Sequence, residues 1–310
     1  MSDKPALIAL DWGTTSFRCY LADITGAILD SRTEPLGILQ VPQSDFDAVF
    51  QRYIGPWFDQ YGELPAIASG MIGSRQGWQE VPYVPCPAGI NEVRNGLIEI
   101  KTRNHHKLWL VPGAVYVDPT DVPDVMRGEE TQIFGEIESL ERQLFVLPGT
   151  HSKWIIVEDK RIVWFATFMS GEVFDVLCKH SILGRIMTGQ AHSEKAFQRG
   201  LEYAMTQASG GLLKRLFSAR TLALFDKVPN NELHAYLSGL IIGAEVVGGL
   251  ACAAEQGLQN PDPLTIVGNP TLVDLYTKAL THHGVKCAPG RNHAVVTGLA
   301  RIARDARLIP

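Results

Sequence analysis

No basic block, no paired cysteines, no unbroken apolar span and no glycine-rich P-loop occur in this sequence, and each absence removes a class of protein. Lys and Arg number 28 against 33 Asp and Glu, interspersed to a net charge of -5, so nothing draws the chain to a nucleic-acid backbone or an anionic membrane. The five cysteines, Cys19, Cys86, Cys178, Cys252 and Cys287, form no C-x-x-C pair. That speaks against a disulfide framework or a cysteine zinc site and suits a reducing cytoplasm. No H-E-x-x-H accompanies His151, His180, His192 or the pair His282-His283, so these read as surface or packing histidines. The run from Leu237 to Ala254 is broken by Glu245 and by Ser238, Gly239, Gly243, Gly248 and Gly249, which points to a buried helix with close backbone contacts. Met1 to Pro5 lacks the charged-then-apolar layout of an export signal, so a cytoplasmic location is expected. Neither G-x-x-x-x-G-K-[ST] nor G-x-G-x-x-G is present, which removes the main support for P-loop and dinucleotide folds.

What is present is a globular composition: 45% hydrophobic residues over 310 positions build a large core, and the length suits two domains. Ala6 to Leu10, Phe17 to Leu21 and Ala27 to Leu29 read as three strands joined by turns. From Asp45, a capping residue, Phe46, Val49, Phe50, Tyr53, Ile54, Trp57 and Phe58 recur at helical spacing. Leu64 to Ala68 reads as a further strand, and Val81 to Pro87 as an extended, proline-rich segment. The same layout returns at Leu144 to Leu147, Trp154 to Val157 and Arg161 to Phe165. A Pro- and Asp-rich stretch, Pro119 to Asp124, is the expected junction, giving domains 1–124 and 125–310 with the last helix free to return to the first domain. Further on, Glu232 to Glu255 reads as a long helix, Leu264 to Val267 as a strand, Pro270 to Leu280 as a helix capped by Asn269, and Thr297 to Ala306 as the closing helix.

Two turns carry phosphate chemistry. In Asp11-Trp12-Gly13-Thr14-Thr15, Gly13 removes bulk so that backbone N–H groups can approach phosphate oxygens, Thr14 and Thr15 add hydroxyls, and Asp11 can hold a hydrated Mg²⁺. Pro148-Gly149-Thr150-His151-Ser152-Lys153 occupies the equivalent turn of the second half and offers Gly149, Thr150, Ser152 and Lys153. Paired in this way, the turns resemble the two phosphate loops of the actin, hexokinase and Hsp70 superfamily. That resemblance implies an α/β fold of two ribonuclease-H-like (actin-like ATPase) domains with the turns facing across a central cleft. Within it, the glycine turn Val267-Gly268-Asn269-Pro270 is implied to lie against adenosine, through Gly268 and Asn269.

Transfer of a phosphoryl group needs a carboxylate to orient the acceptor hydroxyl. Arg127-Gly128-Glu129-Glu130-Thr131-Gln132 precedes the second turn as an Asp-containing motif does in related sugar kinases. Here the acid is glutamate and doubled, so Glu129 and Glu130 both stand as the base. With Leu10 to Arg18, Ala68 to Gly73, Leu147 to Trp154 and Ser170-Gly171-Glu172, this motif resembles the 2-dehydro-3-deoxygalactonokinase family over nearly the whole chain. The resemblance implies ATP and Mg²⁺, a keto-deoxy sugar acid as substrate and transfer to its 6-hydroxyl, with no nucleic acid or membrane partner and homodimerisation left open. A sugar acid brings a carboxylate, for which the loop Ser69 to Trp78 supplies Arg75, with Ser69 and Met71 beside it and Trp78 as a platform for the sugar face. Ser170 is a further substrate donor. A phosphohydrolase or an ATP-switched binding protein of the same superfamily are the alternatives; the first would hydrolyse ATP without sugar, the second would form no phosphorylated product.

Overall fold

The computed structural model describes residues 4–206, 210–259, 261 and 264–310. Two compact units emerge: Met1–Arg142 with Val157–Phe165 and Gly290–Pro310, and Gln143–Ile156 with Ala166–Pro289. Pro119 to Asp124, read from sequence as the junction, falls within the first unit at the turn between two short strands.

The first unit is built on β1 (Leu7–Trp12), β2 (Phe17–Ala22), β3 (Ile28–Glu34), α1 (Phe46–Tyr61), β4 (Ala66–Ser69), β5 (Val84–Pro85), α2 (Ile90–Asn95), β6 (Ile98–Lys101), β7 (Lys107–Leu110), β8 (Ala114–Val117), β9 (Pro123–Met126) and α3 (Glu129–Glu136). Its main sheet runs β3-β2-β1-β4-β7-β6, with β2 antiparallel to β1 and β3, and β4 parallel to β1 and β7. A small second sheet orders β5-β8-β9. The helical spacing after Asp45 becomes α1, whose Phe46, Val49, Phe50, Ile54, Trp57 and Phe58 are buried and whose first turn is held by Ala48 N–H donating to Asp45 at 3.0 Å. These side chains join Ile8, Leu10, Trp12 and Phe17 in one core.

The second unit holds β10 (Gln143–Leu147), β11 (Ser152–Glu158), β12 (Arg161–Phe168), α4 (Ser170–His180), α5 (Glu194–Met205), α6 (Gly211–Leu216), α7 (Ser218–Leu224), α8 (Leu233–Glu255), β13 (Leu264–Ile266), α9 (Pro270–His282) and β14 (Cys287–Pro289); residues 157–165 of the β11–β12 hairpin count with the first unit, as does α10 (Ala294–Asp305). This sheet runs β12-β11-β10-β13-β14, with β10, β13 and β14 parallel. Relabelled within each unit, both sheets share the order 3-2-1-4, continued by one or more outer strands. That shared order is the ribonuclease-H-like arrangement, so the expected fold class holds.

One packing device recurs. A Cβ on Gly135 would lie 1.9 Å from Ala294 O, and one on Gly298 1.9 Å from Thr131 O, so α3 and α10 meet backbone to backbone. In the second unit, Gly200 and Gly239 bring α5 and α8 equally close, at 2.1 Å from Tyr236 O and 2.0 Å from Phe197 O. Side chains at these positions would force the helices apart. The glycines of α8 thus serve helix packing, and α8, although long and apolar enough to span a bilayer, has over half of that apolar stretch buried within its unit.

Candidate active site

Parallel strands leave their C-terminal ends on one edge of a sheet, and loops after those ends are where such folds place ligands. In the first unit β1 and β4 pair with Asp11 opposite Ser69. The chain then turns at Gly13, whose N–H donates to Ser16 O at 2.9 Å, leaving Thr14 and Thr15 exposed. Beneath this turn runs the segment after β3: Ile38 N–H donates to Gly13 O at 3.0 Å, and Trp12 Nε1 to Leu36 O at 2.8 Å. A Cβ on Gly37 would fall 2.3 Å from Thr14 C and O and from Thr15 N, so only glycine allows the turn to rest there.

The loop after β4 reaches the same edge. Gly70 adopts φ +96° with its Cβ direction 2.8 Å from Trp12 O, and Gly128, at φ +112°, faces Gly70 Cα at 3.2 Å. Both conformations favour glycine. The contacts bring residues 11–16, 69–74 and 127–131 together and set the start of α3 against the ends of β1 and β4.

Four charged groups stand in this cluster. Asp11 is paired with Arg18 Nη1 at 2.9 Å; burial pushes its carboxyl above the ordinary range while Arg18 opposes that shift. Glu130 is fully buried, with Oε2 accepting the Gly128 N–H at 2.7 Å and Oε1 the Thr131 hydroxyl at 2.9 Å. Burial, then the charge of Glu129, lifts its pKa to about 7, against the opposing hydrogen bonds. Glu129 is only half-buried and accepts the Arg127 N–H at 3.0 Å. Arg127 itself is buried; its Nη2 donates to Val81 O at 2.7 Å and its guanidinium covers the Tyr83 ring at 4.3 Å, while Nε and Nη1 have no partner.

In the second unit the parallel pair β10 and β13 places the turn 148–151 beside 267–269, and a Cβ on Gly268 would lie 3.6 Å from Pro148 Cδ. Gly149 has open space on its Cβ side, and Thr150 and His151 are exposed. The start of α4 clamps this turn: Glu172 N–H donates to Thr150 O at 3.0 Å, His151 Nε2 pairs with Glu172 at 2.5 Å, and a Cβ on Gly171 would sit 2.4 Å from Gly149 O. Asn269 caps α9 by accepting the Leu272 N–H at 3.0 Å.

Several residues singled out from sequence stand elsewhere. Arg75 points to solvent, its side chain 86% exposed, and pairs with Glu80 at 2.9 Å, so it does not join the cluster. Trp78 is half-buried: its backbone N–H donates to Ile72 O, and its ring packs on Trp12, Phe46 and Phe50 at the edge of the core. Met71 also packs against that core. Ser69 is buried beside Asp11 with its hydroxyl unpartnered. Ser152 is buried, with its hydroxyl near Gly149 N and Tyr276 Oη, and Lys153 donates to Thr167 at 2.6 Å, so neither opens toward solvent as Thr150 does. Ser170 hydrogen-bonds the buried Glu245. Gly37 escaped the sequence reading altogether. Arg127, Gly171, His151 and Glu172 stood within quoted motifs, but the contacts by which they support the two turns carried no local signal. Two open cavities of about 400 and 460 Å³, lined by residues such as Ile90, Arg94, Arg301 and Arg304, contain none of these groups.

Comparison with known proteins agrees along the whole chain. The profile of the 2-keto-3-deoxy-galactonokinase family matches residues 11–302. A Rhizobium meliloti (strain 1021) protein, named as a probable 2-dehydro-3-deoxygalactonokinase, is 34% identical over 303 residues, 96% of each chain. The 2-dehydro-3-deoxygalactonokinase of Escherichia coli (strain K12) is 32% identical over 277 residues, 89% of this chain and 90% of its own. A crystal structure from Sinorhizobium meliloti, provisionally assigned to the same activity, superposes with TM-score 0.85 at 32% identity, covering 96% of this chain and 98% of that one.

Proposed function

We propose, because the chain belongs to the 2-keto-3-deoxy-galactonokinase family, that it transfers the γ-phosphoryl group of ATP to the 6-hydroxyl of 2-dehydro-3-deoxy-D-galactonate in galactonate breakdown. The observation that carries this reading is the meeting of Asp11, the Thr14–Thr15 turn and the Glu129–Glu130 pair on one sheet edge, joined through Gly70 and Gly128. Phosphoryl transfer asks mainly for such positioning and for charge stabilisation.

Glu129 is the base, because it is the member of the pair that substrate can reach. It takes the proton of the 6-hydroxyl as that oxygen bonds the γ-phosphorus and the bond to the ADP oxygen breaks. Glu130, with both oxygens engaged internally, holds Gly128 and thereby the start of α3. The exposed Thr14, Thr15 and Thr150 hydroxyls and the amides around Gly13 and Gly149 are donors to phosphate oxygens, and Gly268 and Asn269 form an open edge for adenosine. A single carboxylate fits Mg²⁺, which binds largely through water and substrate phosphates, so Asp11 would hold it. The ion, held there by Asp11, would supply charge neutralisation for the transferring phosphates. For the substrate carboxylate the geometry favours Arg127 over Arg75, since Arg127 keeps two donors unspent beside Gly73. The five free cysteines suit a reducing cytoplasm.

A coupled ADP-release assay across a panel of keto-deoxy sugar acids, plain aldoses and a no-sugar blank tests the reading. Turnover with 2-dehydro-3-deoxy-D-galactonate well above every other member is expected. Equal ADP release without sugar would replace the kinase by a hydrolase.

A further inference from the structure

Between Leu237 and Ala254 the only charged group on α8 is Glu245, and it is 3% exposed. A buried carboxylate is costly unless its oxygens are met by donors. Here Oε1 accepts Trp154 Nε1 at 2.9 Å and Oε2 accepts Tyr276 Oη at 2.5 Å, while Ser170 and Ser152 are further hydrogen-bond partners. Tyr276 Oη lies 3.1 Å from Ser152 Oγ, which in turn lies 3.3 Å from Gly149 N. One carboxylate on α8 therefore gathers the first residues of β11, the first residue of α4 and the middle of α9.

The chemistry of the partners gives this chain a direction. An indole N–H only donates and an ionised carboxylate only accepts. Tyr276 accordingly donates to Glu245, the Ser152 hydroxyl hydrogen is turned toward Tyr276 Oη and the Glu245 carboxylate, and the Ser152 lone pairs are left for the Gly149 N–H. A carboxamide at position 245 would fill the same space and still accept from Trp154, yet its NH₂ would face Tyr276 and reverse the order. Ser152 would then donate toward Gly149 O, which stands 3.5 Å away. The backbone of the turn would be held by its carbonyl instead of its amide.

We propose that Glu245 is a positioning residue that fixes the 148–152 turn for the nucleotide's phosphates, through Tyr276 and Ser152 on one side and Ser170 on the other. The inference rests on the kinase reading above. Trp154 is buried against Gly249, whose Cβ direction falls 2.2 Å from the indole, so α8 cannot shift to compensate a change at Glu245.

Glu245→Gln and Tyr276→Phe test this in the full-length protein, with thermal unfolding recorded for each. Both variants are expected to fold, to lose about tenfold to hundredfold in kcat/KM for ATP, and to keep KM for the sugar acid within about twofold of wild type. A merely structural role would lower stability and leave both kinetic parameters of the folded fraction alone. If either folded variant matches wild type in kcat/KM for ATP, the inference is overturned. If wild type itself makes no phosphorylated acid, the kinase reading has failed instead, and binding of a non-hydrolysable ATP analogue by calorimetry still decides: unchanged affinity in both variants overturns the role of Glu245.

Discussion

Replacing Gly37 by alanine places one methyl group against the floor of the Thr14–Thr15 turn, the proposed first phosphate loop. Its backbone is not in the left-handed region, so alanine alone would stabilise the protein by about 0.4–1 kcal/mol through the unfolded chain. The new Cβ, however, would lie 2.3 Å from three backbone atoms of Thr14 and Thr15, where van der Waals contact needs roughly 3.4 Å. Turn and floor must part by about 1 Å, straining the bonds from Ile38 and Leu39 to Gly13 and Thr14, each about 1 kcal/mol, on top of about 1–3 kcal/mol for overpacking. The net expectation is a loss of about 2–4 kcal/mol in urea unfolding and, from a 1 Å displacement of phosphate donors, about a hundredfold loss in kcat/KM for ATP. Gly149→Ala is the counterpart, because nothing lies within 4 Å of its Cβ. It should leave stability equal or slightly higher while lowering ATP turnover, since the methyl would intrude only on an approaching phosphate. Wild-type activity in Gly37→Ala, with stability unchanged or raised, would refute the reasoning.

Asp11→Asn should keep the fold and lower turnover at least about a hundredfold at saturating Mg²⁺; steady-state kinetics on the folded variant checks the metal assignment. Glu130 has a folded pKa of about 7 against an ordinary value near 4.5, so the folded state holds its proton more tightly and stability should fall as pH rises from about 4.5 to 7. Glu130→Gln removes that slope and should unfold later than wild type at pH 8, by at most about 3 kcal/mol, and about equally at pH 4.5; urea midpoints across pH show it. Arg127→Lys should raise KM for the sugar acid about tenfold or more, and Arg75→Ala should change it less than about twofold, in the same initial-rate assay.

Periodicity and turn chemistry made much of the architecture legible. The strands at Leu7, Phe17 and Ile28, the helix after Asp45, the apolar α8 and the Asn269-capped α9 follow from alternation, 3.6-residue spacing and capping side chains. The β5-β8-β9 sheet was not legible, because strands of two to four residues are too short to show a period. Nor was the domain boundary: Pro119 to Asp124 looks like a linker but forms the β8–β9 hairpin turn and the start of β9, with the preceding Asp118 accepting from Thr120 and Val122. At the candidate site, the two Gly-Thr turns and the Glu-Glu motif were visible locally. Their support was not, since Gly37 lies twenty-three residues from Thr14 and Tyr276 lies 124 from Ser152. Arg75 and Trp78 stand apart from the cluster: a loop composition that suits a ligand also suits an exposed ion pair and an aromatic folded back onto the core.

Phosphorus NMR of the protein mixed with ATP, Mg²⁺ and 2-dehydro-3-deoxy-D-galactonate reads the proposed transfer directly. One new phosphomonoester for each ADP, coupled to the C6 protons, is expected, with its loss by about a hundredfold or more in Glu129→Gln and ATP affinity retained. Orthophosphate in place of the phosphomonoester, or full product from Glu129→Gln, would contradict it.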